Sequence, residues 1–100
     1  MFIIRDIFTA KPGQASKLAK TFKTVFANEP NARVLTDYVS GFNTVIFETE
    51  FADLAEFEKR LEEYSSGSLK DKLSPEAKEA MSKYTELHYS GRREIFRVVE

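Results

Sequence analysis

The chain of 100 residues has no cysteine and no tryptophan, and only one histidine, three prolines and four glycines. Without cysteine there is no disulfide framework, no thiolate nucleophile and no thiolate zinc site. A lone histidine, His88, excludes the multi-histidine metal centres a single chain can build, so neither a metal nor a cofactor is expected. Long apolar runs are also missing. The opening Met1, Phe2, Ile3 and Ile4 are interrupted by Arg5 and Asp6, so the reading is a cytoplasmic chain with no leader and no membrane helix. Nor is there an excess of one charge: 15 basic against 16 acidic residues leave a net charge of −1, with no field to recruit nucleic acid or anionic lipid. What is present, 42% hydrophobic and 31% charged residues, is the balance of one globular domain spanning residues 1–100. A domain of this size buries only roughly two thirds of its unfolded surface, so a second copy would help it.

The pattern along the chain predicts six or seven elements. Phe2, Ile3, Ile4, Ile7 and Phe8 make a first strand that ends at Lys11, Pro12 and Gly13. From Gln14, the residues Ala15, Leu18, Ala19, Phe22, Val25 and Phe26 form a helical stripe, with Lys17, Lys20 and Lys23 opposite, and Pro30 stops the helix. Residues 33–39 and 42–51 read as a hairpin turning at Gly41 and Phe42. Asp53 and Glu56 have capping-box spacing ahead of a stripe of Leu54, Phe57, Leu61 and Tyr64, which ends near Gly67. Ser74 and Pro75 start another helix that carries Ala77, Ala80, Met81, Tyr84, Leu87 and His88 and ends at Gly91. Residues 92–100 supply the last strand. Strand, helix, strand, strand, helix with extension, strand is the α+β, ferredoxin-like split β-α-β plan, with a four-stranded antiparallel sheet and strands one and three in the middle.

The two faces of this sheet are unusual. With Val39 opposite Thr44, Asp37 opposite Ile46 and Leu35 opposite Glu48, one hairpin face holds Val34, Thr36, Tyr38, Val45, Phe47 and Phe51, a floor for helices. The other mixes Leu35, Val39 and Ile46 with Arg33, Asp37, Glu48 and Glu50, too greasy for solvent and too charged for a dry core. A second sheet from another copy of the chain would cover it. Arg5 is expected on that inward face and Asp6 against the helices.

The segments IFTAKPGQASKLAKTF, RVLTDYVSGFNTVIFETEF, DLAEFEKRLEEY and SGRREIFRVVE, which together span the chain, resemble the dimeric α/β-barrel superfamily in its NIPSNAP-like branch. The resemblance implies a homodimer whose two sheets face each other around a lumen. It also implies a range of activities that includes cofactor-independent monooxygenases, haem-degrading enzymes and small isomerases. Haem use is not expected here, because tryptophan is absent and Asn28, Asn31 and Asn43 fall in or beside turns.

Candidate chemistry falls to the polar inward residues. Asp37 or Glu48 would serve as general base toward an acidic carbon or phenol, with Arg5 or Arg97 across from Glu48 holding the oxyanion. The structural alternative is an ion pair that fixes register. Tyr38 and His88 are candidate substrate-binding residues, although a histidine at a helix C-terminus is also favoured by the macrodipole alone. Arg92 and Arg93, with Lys70 and Lys72, read as a solvated edge, and the nine phenylalanines and four tyrosines as core and not as a base-stacking platform. Two functional classes follow. The chain is either a binder or enzyme for a small, aromatic molecule in the lumen, or a non-catalytic interaction or stress-related module whose inward charges stabilise the dimer.

Overall fold

The structure is a computed structural model that describes residues 1–29, 31–66 and 73–100. Four strands, β1 (Phe2–Ala10), β2 (Ala32–Thr36), β3 (Thr44–Phe51) and β4 (His88–Arg97), pair antiparallel in the order β2-β3-β1-β4. With the helices α1 (Ala15–Val25), α2 (Leu54–Ser65) and α3 (Pro75–Lys83), this is the expected α+β ferredoxin-like arrangement. The molecule measures 36 × 34 × 19 Å, the thickness of a sheet carrying one layer of helices. Its core lies between them, where Leu18 and Phe22 of α1 meet Ala10, Val45, Phe47 and Leu87.

Local chemistry sets the helix starts. Asp53 Oδ1 accepts the Glu56 amide at 2.8 Å ahead of α2, and Ser74 Oγ accepts the Ala77 amide at 3.1 Å ahead of α3, with Pro75 in the first helical position. Gly13, at φ +77°, turns the chain from β1 into α1. Pro30, Gly67, Lys70 and Lys72, to which the sequence assigns two helix stops and part of a basic edge, lie outside the described residues.

Several boundaries differ from the sequence pattern: β2 stops at Thr36, not Val39, β3 begins at Thr44, not Phe42, and β4 ends at Arg97, not Glu100. The third helix ends at Lys83, not beyond His88; a 3₁₀ turn covers Tyr84–Glu86 and β4 begins at His88. Gly91 is therefore a strand residue, opposite Phe8, and a Cβ there would stand 2.9 Å from two atoms of the Phe8 ring. Because that ring is already held against Phe22 and His88, glycine at 91 provides room for a close approach between strands instead of a helix stop.

The hairpin differs by two residues of register. Arg33 pairs with Glu48, Leu35 with Ile46 and Thr36 with Val45. The loop is the cause: Asp37 accepts the Thr44 amide and the Ser40 hydroxyl, each at 3.1 Å, and Phe42 and Asn43 take left-handed φ values of 68° and 55°. Side chains alternate faces with period two, so this slip changes each residue's partner yet leaves it on its expected face. Asp37, Tyr38 and Val39 are the exceptions, since they fall in the loop; Tyr38 is fully exposed instead of joining the helix-side floor, and Val39 is exposed instead of joining the opposite face.

Candidate functional site

Register places Arg5, Ile7, Arg33, Leu35, Ile46, Glu48 and Phe96 on the sheet face away from the helices. Glu48 is 1% exposed, and both its oxygens are taken: Arg5 Nε donates to Oε1 at 2.7 Å and Arg33 Nε donates to Oε2. Burial pushes the Glu48 carboxyl up, but the hydrogen bonds and charges of Arg5 and Arg33 outweigh it and leave the group below its usual range. A carboxylate held this way is a weak base and a strong register lock, since strands β1, β2 and β3 meet at it. The structure thus brings Arg5 and Glu48 together, while Asp37 is spent on the hairpin loop and Arg97 sits over the Phe2 ring, 5.6 Å from its centroid.

The other face of the sheet carries a cavity. Helix α2 buries none of its residues completely, even though its sequence has a full apolar stripe. Phe57, Leu61 and Tyr64 instead wall a cavity of about 730 Å³ between α2, α1 and the sheet, together with Phe8, Phe22, Phe26, Phe47 and Phe51. Polar and charged groups line it as well. Arg93 donates through Nε to Asp6 Oδ1 at 2.6 Å, and its guanidinium lies 5.3 Å from the Phe57 ring centroid. Arg60 is 3.3 Å from both Glu29 and Glu63. Burial, followed by the Glu29 carboxylate, pushes the Tyr64 phenol upward, so it is held protonated as a hydrogen-bond donor. His88 sits between Tyr84, stacked at 5.5 Å, and the edge of Phe8 at 4.9 Å, with Nδ1 3.1 Å from the Tyr84 carbonyl.

Of the candidate catalytic and substrate-binding residues chosen from sequence, His88 borders this cavity, and Arg5, Asp37, Tyr38 and Glu48 do not; Arg92 and Arg93, read from sequence as a solvated edge, border it as well. Asp6, Arg60, Tyr64 and Arg93 were not singled out as site residues. The available signal was Asp6, an acid facing the helices, and Arg93, which strand alternation places opposite it. An apolar size suited to a small aromatic compound, with polar groups at its edges, is the usual make-up of a ligand site.

No family model and no curated protein matches the chain. Solved structures do. A NIPSNAP family protein from Agrobacterium tumefaciens superposes with a TM-score of 0.74 at 11% identity, covering 99% of this chain and 86% of that one. An uncharacterised NIPSNAP domain protein from Burkholderia xenovorans gives 0.69 at 12% identity, covering 99% and 95%. An antibiotic biosynthesis monooxygenase gives 0.62 at 11% identity over the full length of both chains. At such identities the likeness is one of fold: the chain has the ferredoxin-like fold of NIPSNAP-domain proteins and antibiotic biosynthesis monooxygenases.

Proposed function

We propose that this chain, with the fold of the NIPSNAP-domain proteins, is a cytoplasmic homodimer that binds a small aromatic molecule in the cavity between its sheet and α2. The chemistry that fits is that of a cofactor-independent monooxygenase or isomerase. One observation carries the reading: a cavity of about 730 Å³ walled by six phenylalanines beside Tyr64, His88 and the Asp6–Arg93 pair. In this reading Glu48, Arg5 and Asp37 hold the sheet in register and do not touch the ligand.

Naphthol titrated into the protein should bind saturably, one molecule per chain, with a dissociation constant on the order of 10 µM. Thr49→Phe, which puts a ring into the cavity wall, should weaken binding about tenfold, a loss of about 1.4 kcal/mol. Binding that does not saturate, or that ignores the substitution, would sink the assignment.

The dimer has its own support. The sheet face away from the helices sets Arg5, Arg33 and Arg92 against Glu48, Glu50 and Glu94 among Ile3, Leu35, Ile46 and Phe96. Such a balanced, half-apolar surface can complement itself across a two-fold axis. Sedimentation equilibrium at micromolar concentration should give twice the 11.5 kDa of one chain; the mass of one chain would refute it.

A further inference from the structure

We propose that the open edge of β4 is a docking strand for an extended, acidic segment of another protein, which joins the sheet beside β4 as a fifth strand. The inference draws on neither the cavity nor the dimer.

Backbone parity decides which groups of β4 are free. Val98 N donates to the Met1 carbonyl at 3.0 Å, which continues the pairing of Phe2 with Arg97 by one residue. In an antiparallel ladder, residues directly opposite each other exchange both hydrogen bonds at every second position. Counting back from Val98, Phe96, Glu94 and Arg92 bond to Ile3, Arg5 and Ile7 of β1, while Arg97, Ile95, Arg93 and Gly91 turn their N–H and C=O groups outward. The far side of β1 agrees. Ala10 N donates to the Asn43 carbonyl at 2.8 Å, so the even-numbered residues of β1 bond to β3 and its odd-numbered residues are left for β4.

β4 is the last strand of the sheet, and its four outward residues are exposed, with no backbone hydrogen-bond partner among the described residues. The other edge, β2, is five residues long and turns outward only Ala32, Val34 and Thr36. Long edges are ordinarily guarded by charge, proline or a covering element. No proline falls within residues 88–97, and the guarding charges are answered inside the chain: Arg93 Nε is 2.6 Å from Asp6 and Arg92 Nε is 3.1 Å from Glu94. Ile95 and Phe96, each 45% exposed, point to opposite faces of the edge, so a strand laid beside them covers apolar surface on both.

Charge selects the occupant. β4 carries three arginines and one glutamate, and Arg97 rests on the Phe2 ring without a carboxylate partner among the described residues. A second copy of β4 brings the same excess to the join, whereas an acidic strand relieves it. Antiparallel addition sets acids opposite Arg97 and Arg93, and apolar residues opposite Phe96 and Ile95.

The probe is a fluorescein-labelled peptide, Ser-Glu-Val-Val-Thr-Glu-Ser, whose first valine falls opposite Phe96 and whose second falls opposite Ile95. Fluorescence anisotropy measures binding, and amide exchange followed by NMR locates it. Binding should saturate and slow exchange at Arg93, Ile95 and Arg97 by about tenfold, while Glu94 and Phe96, already bonded to β1, change by less than about twofold. N-methylation of the second valine, whose amide faces β4, should weaken binding about tenfold; N-methylation of the first, whose amide faces away, should leave it within about threefold. Ile95→Pro removes an outward N–H without taking a bond from β1 and should weaken binding about tenfold, against about threefold or less for Ile95→Ala. Arg97→Glu should weaken it about fivefold. Failure to saturate, or equal losses from the two methylated peptides, overturns the proposal. So do amides at Arg93, Ile95 and Arg97 that already exchange slowly without peptide, the sign of a second copy on the edge. If I95P proves unfolded by circular dichroism, the two methylated peptides decide the matter on the wild-type protein alone.

Discussion

Glu48→Ala should lower the free energy of unfolding by about 3 kcal/mol, measured by urea titration at fixed protein concentration and neutral pH. Removing one member of a buried ion pair commonly costs about 3 to 5 kcal/mol, because its partner is left uncompensated. The lower end applies here, since the Arg5 and Arg33 side chains are 39% and 64% exposed and regain water when the carboxylate is gone. Glu62→Gln, on the exposed side of α2, should change stability by less than about 0.5 kcal/mol. Equal effects from the two substitutions would mean that Glu48 is not held as described. Acidity gives a second check. The Glu48 carboxyl ionises more readily in the fold than at its reference value of 4.5, so its contribution is complete above that pH and disappears as pH falls through the lower folded value. Wild-type protein should lose stability in that acid window, and Glu48→Gln should lose less.

The largest effect should come from Phe22→Ala, with a loss of about 4 kcal/mol and a fall in Tm on the order of 20 °C by calorimetry. Phe22 is 4% exposed, and its ring lies 5.0 Å from Phe8, 5.9 Å from Tyr84, 6.2 Å from Phe47 and 6.3 Å from Phe26. It joins α1 to both central strands and to the turn ahead of β4. A loss under about 2 kcal/mol would mean that the neighbouring rings close over the gap, contrary to a wall that is rigid around its cavity.

Much of this architecture can be read from period alone. The stripe from Ala15 to Phe26 and the capping residues Asp53 and Ser74 locate the helices, because each reports a local preference that tertiary packing does not overrule here. The faces of the hairpin are legible for the same reason, but its pairing is not. Asp37 closes the loop with its side chain, and Phe42 and Asn43 adopt left-handed conformations that no glycine announces. Arg33 thereby becomes the second partner of Glu48, where the turn pattern puts Leu35. At His88 the helical stripe and the start of a strand overlap. Only contact with Phe8 reveals that Gly91 belongs to the sheet. The cavity is the least legible feature, since it arises from how far α2 stands from the sheet, a distance between elements that the spacing of Leu54, Phe57, Leu61 and Tyr64 does not encode.

That stand-off of α2 also has a thermodynamic side. A helix with no fully buried residue contributes little to holding itself in place, so its detachment is among the least costly local openings available to the molecule. Whatever fills the space beneath it acts as a missing piece of hydrophobic core. Occupancy of the cavity and protection of the α2 amides from exchange are then two readings of one equilibrium, and each must rise by the amount the other does.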